Sequence, residues 1–139
     1  MTINITNEMT ELIANALNDN MPVIISSVDK YGQPWQSFYG STHVFNEKTF
    51  GIWLRDPDSR MLLRLTNNAN VSLLYRNSSQ KIIWQFHGTA EIITDSSVAN
   101  TIYNNMHPGE RDKDPEQAGI AVKIIITKIL QAGKIIMEA

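Results

Sequence analysis

The sequence predicts a mainly β fold, an antiparallel barrel with short helices inserted between its strands. Three observations point there. Short runs rich in isoleucine, valine, threonine and aromatics recur along the chain, the composition of a pleated, half-buried surface. Turn clusters such as Asp29-Lys30-Tyr31-Gly32, Asn46-Glu47-Lys48 and Asn77-Ser78-Ser79 separate them at hairpin length, which makes neighbours antiparallel. The runs number six or seven, and a closed or nearly closed barrel would hide the edges of such a sheet.

In chain order, Thr6 to Leu17 reads as a helix: Thr6 can cap it, and Met9, Leu12, Ile13, Ala16 and Leu17 share one apolar face. Val23 to Val28 is a strand, and Asp29 to Gly32 turns the chain with Gly32 free to take positive φ. A returning strand from Trp35 to Phe45 follows. Phe50 to Arg55 is the next, with Ile52 and Leu54 on one face and Trp53 and Arg55 on the other. A helix then starts with Asp56 as its N-cap and Pro57 at its first position; Leu62, Leu63 and Leu65 form its stripe, and Asn67-Asn68 stops it. Strands from Val71 to Tyr75 and from Ile82 to Ile93 follow. Asp95 or Ser96 caps a helix to Asn105, and His107 to Glu116 is a polar connection. Ile120 to Leu130 is the densest strand pattern, and Ile135-Ile136-Met137 a short last one.

At 139 residues with 42% hydrophobic content, the chain has the size and core of one domain, residues 1–20 forming a helix and lead-in and 21–139 the barrel. It has no cysteine, which excludes disulfides and thiolate chemistry. The net charge of −2 is scattered, so no basic stripe suggests nucleic acid. Neither a signal peptide nor a membrane span is legible, and the expected address is cytoplasmic.

Chemistry concentrates at Arg55-Asp56-Pro57-Asp58-Ser59-Arg60, between a strand and a helix. A helix start exposes amides and a positive dipole end suited to phosphate. Ser59 adds a hydroxyl, while Arg55 and Arg60 add forked cations that Arg64 could reinforce. The alternative is a capped helix with solvated arginines, and the charges of Asp56 and Asp58 oppose a phosphate unless they point away.

The run from Thr49 to Tyr75 resembles the flavin-phosphate segment of the pyridoxamine 5′-phosphate oxidase-like family. Ser59-Arg60 matches its Ser-Arg-Lys element, and Asn68, Val71, Ser72 and Leu73 match the segment that follows. Asp29-Lys30-Tyr31-Gly32-Gln33-Pro34 resembles the family's first hairpin, Phe86 to Ile92 its Gly-x-Ala strand, and Asp114 to Val122 its closing strand. The resemblance implies a six-stranded antiparallel FMN-binding split barrel that forms a homodimer with flavin at the subunit interface. It implies an oxidoreductase moving hydride between FMN and a small molecule. Carried over by position, Ser37, Tyr39 and Thr42 lie beside the flavin, with Leu54, Arg55, Ser59 and Arg60 toward its phosphate and Gln85 reaching it or the partner chain. Met61 replaces the usual lysine and Ala69 the usual proline. Met61 favours an alternative, a non-enzymatic binding protein of this fold using deazaflavin, haem or no cofactor. A ligand-free dimeric stress or interaction protein is a third possibility.

Other residues carry weaker signals. Trp35, Trp53 and Trp84 are either core or stacking residues. His43, His87 and His107 lack metal-ligand spacing, no metal site is expected, and Asp112, Asp114 and Glu116 read as a solvated acidic loop. No acid–base residue can be named.

Overall fold

The computed structural model describes residues 2–139 and arranges them as a mainly β, antiparallel structure of eight strands, against the six that the resemblance implies and the seven runs read in chain order. The strands are β1 (Ile24–Val28), β2 (Pro34–Phe38), β3 (His43–Asn46), β4 (Thr49–Leu54), β5 (Asn70–Asn77), β6 (Ile82–Ile92), β7 (Ile120–Gln131) and β8 (Lys134–Glu138). Their order in the sheet is β2-β1-β5-β6-β7-β4-β3, with β8 also paired to β7. Four helices, α1 (Asn7–Ala14), α2 (Arg60–Asn67), α3 (Ser96–Asn105) and α4 (Pro108–Arg111), fill the connections. None is long and apolar enough to cross a membrane.

The extra strand arises where the sequence suggested one continuous run from Trp35 to Phe45. The amide and hydroxyl of Thr42 both donate to the Tyr39 carbonyl, at 3.2 and 2.7 Å, and close a turn. The run therefore splits into β2 and β3, which lie at opposite ends of the sheet order. The second correction concerns α2. Asp56 accepts from the amide of Asp58, two residues on, and its carbonyl accepts from Ser59. That geometry makes Asp56 to Ser59 a turn, so Ser59 rather than Asp56 is the N-cap and Pro57 precedes the helix. By contrast, Thr6 caps α1 through the Met9 amide, and Asp95 caps α3 through the amides of Ser97 and Val98.

Strand alternation sets two cores. Phe50, Ile52 and Leu54 of β4 point into the main core with Leu73, Trp84, Phe86, Val122 and Ile124. Phe50 meets Phe86 at 4.7 Å between ring centroids, and Tyr75 stacks on Trp84 at 5.6 Å. The opposite face of β4 carries Trp53, which packs edge-on against Tyr103 of α3 at 5.1 Å, with Ile102, Met106 and Ala121 around it. β4 is consequently buried on both faces. Trp53 and Trp84 are both core residues.

The outer face of the sheet carries a register row of its own. Phe38, Ile24, Leu74, Gln85, Leu130 and Ile135 are consecutive cross-strand partners from β2 to β8. Phe38 is 63% exposed and Ile135 40%. This row is apolar except at Gln85.

Candidate functional site

The bend at residues 39–42 and the turn from β4 into α2 face each other across a cleft of about 440 Å³. Phe38, Tyr39, Gly40 and Ser41 form one wall, Trp53 to Asp56 and Ser59 the other, and Glu110 of α4 closes one side. Its size lies within the range of small-molecule pockets, roughly 300–1,000 Å³.

Hydrogen bonds lock the walls. The Ser41 hydroxyl donates to the Trp53 carbonyl at 3.1 Å and accepts from the Trp53 amide at 2.9 Å. Behind β4, the carboxylate of Asp114 accepts from the Trp53 indole at 2.8 Å and from the amides of Ala118 and Gly119 at 3.0 and 2.9 Å. Tyr103 adds a bond from its hydroxyl to the Asp114 carbonyl at 2.9 Å. Asp114 is buried, so it does not belong to a solvated acidic loop as its sequence context suggested. Burial pushes its pKa up, but the Trp53 and backbone hydrogen bonds and the nearby Arg55 charge outweigh that and hold it below the ordinary value. Gly119 is needed beneath this wall: a Cβ there would collide with the Leu54 carbonyl and the Trp53 indole.

α4 is positioned with comparable care. His107 caps it, its Nδ1 accepting from Gly109 and its Nε2 donating to Asn18 at 2.7 Å. Arg111 donates to the carbonyls of Asn104 and Met106 at 2.9 and 2.7 Å. These bonds place the nearly buried Glu110 beside Gly40, where any Cβ would collide with Oε1 of Glu110. Lys113 lies 3.5 Å from the same carboxylate.

Two histidines have lowered pKa values. His43, beneath α3, donates from Nδ1 to the Ser41 carbonyl at 2.8 Å, and its Nε2 has no partner. Burial pushes it below the usual imidazole value, with the Ser41 bond opposing. His87, on the outer face beside Gln85, is lowered by burial and by the Lys128 charge. Among the described residues no cluster could hold a metal ion.

Of the residues picked from sequence, Tyr39, Leu54, Arg55 and Ser59 converge on the cleft. Burial raises the Tyr39 phenol, with the adjacent Arg64 pulling the other way. Ser37 is exposed on β2, Thr42 is buried with its hydroxyl closing the bend, and Gln85 sits mid-row on the outer face. Arg60 lines a neighbouring groove with Tyr31, Trp35, Leu63 and Arg64. There Arg64 donates to Ser27 at 2.7 Å and lies over the Trp35 ring at 5.1 Å. Met61 is buried in the main core, 2% exposed. Glu110 was not found from sequence, because a glutamate in a polar connection carries no local signal.

A family model described as pyridoxamine 5′-phosphate oxidase matches residues 9–129. Solved structures share the fold. HupZ from Group A Streptococcus superposes with a TM-score of 0.74 at 21% identity, covering 97% of this chain and 98% of that one. An FMN-binding protein from Syntrophomonas wolfei gives 0.65 at 13% identity, over 90% and 86% of the two chains. An F420 reductase gives 0.63 at 9%, over 86% and 94%. No curated protein sequence matches the chain.

Proposed function

The chain belongs to the pyridoxamine 5′-phosphate oxidase family, and on that premise we propose that its cleft receives a flavin, FMN being the form expected from sequence. In this reading the protein is an oxidoreductase acting on a small molecule. The observation that carries it is the convergence of Tyr39, Leu54, Arg55 and Ser59 on one cleft from two separate elements. The residues fit the ring portion of such a group. Phe38 and Tyr39 supply apolar wall, and the chain at Gly40, Trp53 and Leu54 borders it.

When bound, the flavin supplies two-electron hydride chemistry at its ring. The chain's residues orient it. Tyr39 would pack against it, Arg55 and the Ser59 hydroxyl would donate hydrogen bonds, and the clasped Ser41–Trp53 wall, with Leu54 behind it, resists movement and limits water. A homodimer with the flavin at the interface is part of the proposal. The outer apolar row is a surface that self-association would cover, and its first residue, Phe38, also lines the cleft.

The test is a visible spectrum of the purified protein followed by titration with FMN and riboflavin, read by flavin fluorescence. Flavin absorption or saturable quenching is expected, and failure of both flavins to bind would overturn the reading. A second reading, a binding protein using deazaflavin, haem or no cofactor, is favoured by a specific observation. Among the described residues, Arg55 is the one cation lining the cleft, which Asp56 and Glu110 also line. Parallel titration with haem and a deazaflavin separates the two.

A further inference from the structure

We propose that the cleft selects against a phosphate monoester and takes the flavin in its dephosphorylated form, riboflavin, with Glu110 setting the preference. The proposal rests on the flavin reading above and refines it. Among the described residues lining the cleft, one arginine stands against two carboxylates, Asp56 and Glu110, and the cation paired with Glu110, Lys113 at 3.5 Å, is not part of the lining. Arg60 and Arg64 line the neighbouring groove with Trp35, and Met61, at the position of the family's lysine, is buried.

The helix start offers little compensation. The Met61 amide is bonded to the Ser59 hydroxyl at 3.1 Å and the Leu62 amide to the Ser59 carbonyl at 3.1 Å. Two of the donors that could receive a phosphate are already occupied. Glu110, meanwhile, is held in place. α4 is tied down at both ends by His107 and Arg111, and the absence of a side chain at Gly40 leaves the space its carboxylate occupies.

Distance completes the argument. A cleft of about 440 Å³ is only ~8 Å across, about one Debye length at physiological salt, so both carboxylates act on a phosphate anywhere inside it. The uncharged ribityl tail of riboflavin meets no such repulsion, and its hydroxyls can donate to Glu110.

The experiment is titration of the purified protein with riboflavin and FMN, read by fluorescence, across about 50–500 mM KCl. Riboflavin is expected to bind at least as tightly as FMN. Added salt should tighten FMN and leave riboflavin unmoved, opposite to a cationic phosphate site. Glu110→Gln should tighten FMN about three-fold, with riboflavin much less affected. FMN binding about ten-fold more tightly than riboflavin, FMN binding weakened by salt, or an unchanged ratio in a folded Glu110→Gln variant would overturn the selectivity and leave the flavin reading standing. Neither flavin binding at about 100 μM would overturn both. The salt series uses the unaltered chain, so the proposal is decided even if the variant does not fold.

Discussion

Replacing Asp114 by alanine leaves three donors without their acceptor: the Trp53 indole and the amides of Ala118 and Gly119, now held at 2.8, 3.0 and 2.9 Å. Each bond to a charged acceptor is worth about 1.5–3 kcal/mol, and an abandoned buried donor costs about 1–3 kcal/mol. Water can reach part of this loop once the side chain is gone, so we take about 1 kcal/mol per donor, or about 3 kcal/mol in all. With a urea slope near 2 kcal/mol per molar, the midpoint should fall by about 1.5 M. Asp114→Asn keeps one acceptor oxygen and should cost about half as much. The assay is equilibrium urea unfolding followed by tryptophan fluorescence and circular dichroism. Acid adds a second reading. The folded pKa of Asp114 is depressed, so its contribution is complete above its ordinary value of 3.8 and is lost as pH falls through the lower folded value. The alanine variant should lack that part of the acid limb. A loss below about 1 kcal/mol would refute the reasoning, because it would mean the three donors find equivalent partners without the carboxylate.

Other outcomes follow from neighbouring features. Because burial depresses His43, its contribution to stability is complete above 6.5 and shrinks as pH falls toward the folded value; the slope is at most about 1.4 kcal/mol per pH unit. His43→Leu should flatten that part of the profile between pH 7 and 5, measured by urea midpoints, whereas an unchanged slope would assign it to other groups. Gly88→Ala should destabilise by about 2 kcal/mol or more, since the new Cβ would strike the Ile125 carbonyl across the β6–β7 bulge. A normal thermal midpoint would show that the bulge can yield. Phe38→Glu should shift a dimer toward monomer in sedimentation velocity while leaving the circular dichroism spectrum intact. A dimer of unchanged stability would place self-association on another face.

The features legible in the sequence are those set by neighbours in the chain. Thr6 and Asp95 cap helices through amides two or three residues away. Asp29 organises its hairpin by accepting from Tyr31 and Gln33. The two faces of β4 follow from simple alternation, and the seven runs read in chain order fall one short of eight strands only where a bend interrupts an unbroken β-type composition. What could not be read depends on contacts between distant residues. Asp114 looks solvated until the indole 61 positions earlier is folded against it. Glu110 has no local partner except Lys113, and it enters the cleft only because α4 docks over Gly40. The choice between Asp56 and Ser59 as cap was a contest between two good candidates, decided when the Asp56 carboxylate turned to the second amide ahead. The resemblance of Ser59-Arg60 to a phosphate motif treats the two residues as one site, yet Ser59 lines the cleft while Arg60 lines the neighbouring groove.

The hydroxyl of Ser41 stands in for a stretch of backbone. Registers of β3 and β4 pair His43 with Gly51 and Val44 with Phe50, so Trp53 is where Ser41 would continue the ladder. The chain has already bent away there, and one oxygen supplies both the donor and the acceptor of the missing rung. The main chain from Gly40 to Thr42 is thereby released from the sheet without leaving Trp53 unmatched, while the Tyr39 amide still bonds the Val23 carbonyl at 2.9 Å. Slow hydrogen exchange at the Trp53 amide then depends on a single side-chain atom, and Ser41→Ala would make that amide exchange as though it sat at an open sheet edge.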